Sequence, residues 1–488
     1  MADDTPTPPP SAPEPTDDVV VTRHEIGVGG DRLAYTAMTG RVVLREEVVE
    51  DGKYTGVTAR AQVFATAYVL DGADSATRPV TFAFNGGPGS SSVWLHLGLL
   101  GPRRVVMGDA GSLLPPPAAL TDNLETLLRV SDLVFIDPVT TGYSRTSDGQ
   151  QADHFHGFTR DVEAVGEFIR LWTSRNGRWL SPKFLAGESY GTTRAAALAA
   201  HLAETAGMYV NGLMLISSVL DIGSVDFEPG SDLGHALFVP TYAAAAHHHG
   251  VVGGELADVV RQAEEFASAD LPWALARGSR LTGTERAEVV ARYAALTGLS
   301  AEYVDRADLR VDLFAFTAEL LRSRRQLVGR LDMRFTGWPT DANDARMQQY
   351  DPASAAIMGP YSAALNAYVR GELGYASDLV YNVLTGKVNP WSYKEFEGRS
   401  VESTSALERA FQANPHLRVH IACGWFDGAT PHFAAEHVIA HLRISPQARE
   451  RIEWAYYEAG HMMYVHEPSR LQQCADLAAF VTSAHGDR

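Results

Sequence analysis

Ser189 stands within Gly187-Glu188-Ser189-Tyr190-Gly191, the stretch that carries the most chemical information in this 488-residue chain. Glycines two positions either side of a serine fit a sharp strand-to-helix turn that lifts the hydroxyl clear of the backbone. A serine hydroxyl is a weak nucleophile until a base takes its proton, and the base must be oriented by a carboxylate. Both partners follow in the chain, acid first and base second. Asp427 lies in Gly424-Trp425-Phe426-Asp427-Gly428, and His461 in Glu458-Ala459-Gly460-His461-Met462. A loop histidine is usually just solvated, and the chain has 17. His461 is distinguished by its place after Asp427 and beside a glycine. Upstream lies Asn85-Gly86-Gly87-Pro88-Gly89-Ser90-Ser91-Ser92. Such a loop presents backbone N–H groups without side-chain obstruction, as an oxyanion hole requires beside the N–H of the residue after the nucleophile. A phosphate loop is the other reading, but the sequence has no Gly-x-Gly-x-x-Gly or Gly-Lys-Ser/Thr there and no acidic ribose ligand in place.

These residues need strand ends to hold them. Short apolar runs at 79–84, 131–136, 184–186 and 212–220 predict buried parallel strands, as do 418–424 and 452–457. The serine sits between the third of these and an alanine-rich segment, 192–202, that predicts a helix whose N-terminus faces Ser189. Pro431 and Pro468 open two further predicted helices. The spacing of Val162, Val165, Phe168, Ile169 and Trp172 predicts an amphipathic helix packed on the core. Alternation over 33–44 and 58–70 predicts antiparallel strands leading into the sheet. From about 224 to 415 the strand–helix alternation stops, and helical periodicity near 254–268, 283–296 and 308–328 predicts a helical cap over the substrate pocket. Within it, His247-His248-His249 is not a metal motif, because consecutive helical residues point about 100° apart.

Five blocks resemble the serine carboxypeptidase family in the same order: residues 85–92, Asp137-Pro138-Val139-Thr140-Thr141-Gly142-Tyr143-Ser144, Gly187–Gly191, Gly-x-x-Asp-Gly-x-x-Pro around Asp427, and Gly460-His461-Met462. The resemblance implies an α/β-hydrolase fold, a mostly parallel central sheet flanked by helices, with a largely helical cap insertion. It implies Ser189 as nucleophile, His461 as base and acid, and Asp427 as orienting acid. The backbone N–H groups of Gly87 and Tyr190 would form the oxyanion hole. Asn85, the Gly86 backbone N–H and Glu188 would read the free C-terminal carboxylate of a peptide. A glutamate facing a carboxylate repels it unless one of the two holds a proton, so the pair titrates as a unit. The sequence departs from the family pattern at four positions. Leu99 stands where a second glutamate is common, which predicts a reduced proton-sharing network. Ser90 replaces a frequent cysteine, Thr140 a frequent glycine, and Trp425 a frequent aspartate.

Composition fits a large globular enzyme, with 45% hydrophobic residues. A net charge of −18 argues against nucleic-acid binding. No run of 18 apolar residues predicts a transmembrane helix. Two cysteines do not make a disulfide framework, and there is no Asn-x-Ser/Thr acceptor. With an N-terminus unlike a signal peptide, these features predict a cytoplasmic location. The expected organisation is a disordered acidic Pro-rich tail over 1–18, a core over 19–223 and 416–488, and the cap over 224–415. The expected activity is cofactor-free and metal-free hydrolysis of the last peptide bond of peptides with a free C-terminus. The alternatives are an esterase or acyltransferase on the same triad, or a scaffold that kept the fold without catalysis. Nothing in the sequence sets an oligomeric state.

Overall fold

The structure is a computed structural model that describes residues 14–344 and 350–484. Most of the expected tail, 1–13, lies outside the described residues. Its end does not hang free. Asp17 accepts the Val43 N–H and pairs with Arg175, and Asp18 pairs with Arg41 and accepts the Tyr375 hydroxyl.

Ten strands form the main sheet: β1 (Asp18–Val28), β2 (Asp31–Glu50), β3 (Lys53–Leu70), β4 (Val80–Phe84), β5 (Asp132–Ile136), β6 (Arg145–Thr146), β7 (Lys183–Glu188), β8 (Gly212–Ile216), β9 (Arg418–Gly424) and β10 (Ile452–Tyr457). Their spatial order is β1-β2-β3-β5-β4-β7-β8-β9-β10, with β6 beside β3. The first three form an antiparallel meander that joins β5 antiparallel. From β5 to β10 every pairing is parallel. The parallel strands read as continuous apolar runs because both faces are covered, and their side chains divide between two clusters by the period-two pleat. Phe184, Ala186, Met214, Ile216 and Ala422 face one cluster. Leu185, Leu213, Leu215, Ile421 and Cys423 face the other.

The principal helices are α1 (Phe158–Arg175), α2 (Tyr190–Ala206), α3 (Val239–His248), α4 (Leu256–Ser268), α5 (Gly283–Thr297), α6 (Pro352–Gly371), α7 (Thr404–Ala413), α8 (His432–Ala440) and α9 (Glu467–Ser483). Helices α1, α2, α7 and α8 cover the second face, and α6 and α9 the first. Between Ala236 and Met333, α3–α5 build a third apolar cluster with Phe316, Val328 and the core residue Phe426. Helices α6 and α7 belong to the core clusters instead, although both lie within 224–415. The continuous helix expected over 308–328 is broken up. Asp308 and Leu309 adopt positive φ, a short helix covers Leu313–Glu319, and Arg325 (φ 56) turns the chain into a hairpin pairing Leu327–Val328 with Thr336–Gly337.

Candidate active site

Every predicted site residue sits at the C-terminal end of a parallel strand or one turn beyond it. Asn85 follows β4, Ser189 follows β7, Asp427 follows β9 and His461 follows β10. In an open parallel sheet this edge is where neighbouring loops can converge on a ligand. Asn85, Gly86, Gly87, Glu188, Ser189, Tyr190 and His461 line one cleft of about 820 Å³. Asp427 lies behind His461, fully buried. A larger cleft of about 1390 Å³, lined by β2, α1 and 392–395, contains none of them.

Ser189 has φ 61 and ψ −131, a conformation that costs a non-glycine residue on the order of 1–3 kcal/mol. It is held there by its N–H to the Ile216 carbonyl and by Thr192, whose N–H and hydroxyl both bond the Ser189 carbonyl. Tyr190 is the first helical residue of α2, so its N–H has no partner within the helix and faces the dipole end. The glycine loop closes on this point. A Cβ on Gly86 would collide with the Tyr190 backbone nitrogen, so only glycine lets the two approach. Arg194 ties them together: it pairs with buried Asp161 at 2.6 Å and donates to the Asn85 carbonyl at 2.6 Å.

His461 Nδ1 lies 2.8 Å from Asp427 Oδ2. The Asp427 carboxylate also accepts the Ala429 and Thr430 N–H groups at 2.8 and 2.9 Å and the Thr430 hydroxyl at 2.8 Å. Burial works to protonate Asp427, but the His461 charge, its hydrogen bond and the Thr430 donors outweigh it and lower the pKa. For His461, burial opposes the charged ring. The Asp427 charge and hydrogen bond, with the more distant Glu188 charge, overcome that and raise its pKa. With Nδ1 engaged by Asp427, Nε2 of the imidazole is left available as a general base.

Glu188 is 3% exposed. Asn85 Nδ2 donates to one carboxylate oxygen at 2.8 Å, and the Tyr464 hydroxyl to the other at 2.6 Å. Asn85 Oδ1 accepts the Leu95 N–H at 3.1 Å, which fixes the amide orientation. Burial raises the Glu188 pKa to about 7, against the opposing pull of the His461 charge and the Tyr464 and Asn85 donors. Leu99, in place of a second carboxylate, is fully buried in the apolar cluster. The network is therefore not simply reduced. A tyrosine hydroxyl occupies the second Glu188 oxygen, and the sequence reading missed it. The available signal was an aromatic hydroxyl three residues after the histidine, in the turn Met463–Val465.

Asp137, which heads one of the five resembling blocks, carries a contact the sequence did not reveal. Its carboxylate accepts the Ser92 N–H and hydroxyl, both at 2.8 Å, and so braces the far end of the glycine loop. Burial raises its pKa to about 6, with the Ser92 donors pulling the other way. Thr140 adopts φ 80, where glycine would be unstrained, and its hydroxyl bonds His156 at 2.8 Å. Trp425 stacks on Tyr456. His247 and His249 bond the Gly254 and Met333 carbonyls. Among the described residues one group, Glu264, His432 and Glu436, has metal-compatible spacing. His432 pairs there with Glu264, and Glu436 accepts the Tyr456 hydroxyl, away from the cleft.

The sequence pattern of the serine carboxypeptidases matches residues 64–475, which spans all four strand-end elements. The chain belongs to the serine carboxypeptidase family. No match to a curated protein sequence is significant. Among solved structures, a prohormone-processing carboxypeptidase from Saccharomyces cerevisiae is similar over 93% of this chain and 92% of its own, at 13% identity and a TM-score of 0.54. That likeness shows the α/β-hydrolase fold. A proline iminopeptidase from Mycobacterium smegmatis is 10% identical over 91% of this chain and 98% of its own, with a TM-score of 0.36. This serine carboxypeptidase is a peptide hydrolase, and no helix among its described residues is long and apolar enough to cross a membrane.

Proposed function

We propose that Ser189, His461 and Asp427 remove the last residue of peptides bearing a free C-terminus. The observation that carries this reading is Glu188, a buried carboxylate beside the nucleophile with a pKa raised to about 7. Protonated, it can donate to a substrate carboxylate, with the second N–H of Asn85 and the Gly86 N–H beside it. Ser189 Oγ attacks the last peptide carbonyl as His461 Nε2 takes the proton. The oxyanion collects the N–H groups of Gly87 and Tyr190. The C–N bond breaks as His461 returns the proton to the leaving amine, and water, deprotonated by His461, releases the acyl group from Ser189. Nothing in this sequence of steps calls for a metal or cofactor. A cytoplasmic location belongs to the same reading, supported by two unpaired, buried cysteines.

The test is a set of blocked dipeptides with free or amidated C-termini, together with a simple ester. Strong preference for the free acid is expected. Equal rates on acid and amide, or cleavage of the ester alone, would replace this reading with the esterase or acyltransferase one.

A further inference from the structure

Besides its tyrosines, four acidic or basic side chains line the cleft: Glu188, His461, Asp351 and Arg330. Three of them are engaged. Glu188 holds Asn85 and Tyr464, and His461 holds Asp427. Asp351 caps α6 and is saturated by backbone donors, the N–H groups of Arg330 and Ala353 on one oxygen and that of Leu331 on the other, each at 3.1 Å. Asp351 therefore fixes the Arg330 backbone but makes no ion pair with its side chain. Among the described residues the half-buried Arg330 guanidinium has no hydrogen-bond or ion-pair partner. The same cleft is lined by the apolar side chains of Phe314, Leu327, Val328 and Leu331.

The backbone at Arg330 is fixed close to the chemistry. Its carbonyl accepts the Gly428 N–H at 3.0 Å, next to Asp427, and the following carbonyl accepts the His461 N–H. The Arg330 charge acts on the His461 ring, opposing its protonation. An unpaired cation at the cleft wall loses water when a neutral substrate fills the cleft, and nothing replaces that water. An anionic group on the substrate offsets the loss with a charge-assisted, bidentate pair. The terminal carboxylate is already provided for at Asn85 and Glu188. The partner left for Arg330 is a second carboxylate, carried on a side chain.

Resting on the carboxypeptidase reading, we propose that Arg330 is a specificity-determining residue that selects substrates with an acidic side chain at one of the two residues flanking the scissile bond.

Matched N-blocked dipeptides test this, with Glu against Gln at the last position and Glu against Gln at the penultimate one. The readout is the Glu:Gln ratio of kcat/KM within each variant, in which any general loss of activity cancels. The wild type is expected to prefer Glu by about fivefold at one of the two positions, the scale of a half-exposed ion pair. Arg330→Gln should bring that ratio to about one, and Arg330→Lys should keep most of it. A wild-type ratio near one at both positions overturns the proposal, as does a ratio that survives Arg330→Gln. So does a fall confined to the preference for free acid over amide, which would place Arg330 on the terminal carboxylate. An N-blocked Ala-Ala peptide separates the two ideas. If it is not cleaved, the carboxypeptidase reading fails. The same Glu:Gln ratio is then read from dissociation constants of the four peptides measured by calorimetry, where equality overturns the role of Arg330.

Discussion

Ser189 is both the proposed nucleophile and a strained residue, and its conformation is set by hydrogen bonds to β8 and within the first turn of α2. Ser189→Ala should lower kcat by a factor of about 10³ or more while peptide binding persists, as measured by steady-state kinetics and calorimetry. Glu188 gives a pH dependence whose sign is set. In the proposed function its protonated form accommodates an ionised substrate carboxylate, so kcat/KM on free-acid peptides should fall as pH rises through about 7. Esters lacking that carboxylate should show no such fall. Glu188→Gln should abolish the alkaline fall and, by removing a charge that raises the His461 pKa, extend activity to lower pH. Tyr464→Phe removes a donor that favours ionised Glu188, so the fall should move to higher pH. A profile unchanged in Tyr464→Phe would show that the hydroxyl does not act on Glu188. Ser189, Asp427 and His461 were legible because each sits in a short motif at a strand end. Tyr464 was not, because its partner lies 276 residues away and only the closed fold brings them together.

At the scale of elements, the four residues Arg330–Met333 join the loops that carry Asp427 and His461. Gly428 N–H bonds the Arg330 carbonyl, His461 N–H the Leu331 carbonyl and Met333 N–H the Phe426 carbonyl, while Gly460 N–H bonds the Asp332 carboxylate. Arg334 pairs with Asp332 at 2.6 Å, and Asp351 holds the segment from the other side. A Cβ on Gly460 would collide with Asp332. Gly460→Ala should therefore lower kcat by about tenfold or more with a smaller change in the denaturation midpoint, since a displacement near 1 Å is enough for such a loss. Arg194→Met leaves Asp161 buried without its cation and should destabilise the fold by about 3–5 kcal/mol in denaturant titrations. Periodicity revealed the strands and the amphipathic α1 directly. It did not reveal the break in 308–328, because the positive φ values at Asp308, Leu309 and Arg325 fall on residues that carry no glycine-like signal.

Across the whole molecule, two clusters sandwich the sheet and a third fills the space between Ala236 and Met333. Cys423 lies in β9 and Cys474 in α9, both buried, and burial raises both thiol pKa values, that of Cys474 to about 11. Neither should react with a thiol reagent in the native protein, and both should react together on unfolding. Early modification of one would reveal local opening of its element. The fold class was legible from alternating apolar runs and helices. Which cluster α6 and α7 would join was not, because an apolar helical face does not name the surface that will cover it. The segment Arg330–Met333 has a consequence for how this enzyme can diverge. The backbone that carries Arg330 and Leu331 into the cleft is the same backbone that hydrogen-bonds the loops of Asp427 and His461, the proposed acid and base. Recombination that exchanges the whole insertion would cut through the catalytic frame unless 329–334 is retained. If Arg330 selects substrate as proposed, new selectivity is reached instead by single replacements of the side chains this segment sends into the cleft, Arg330 first.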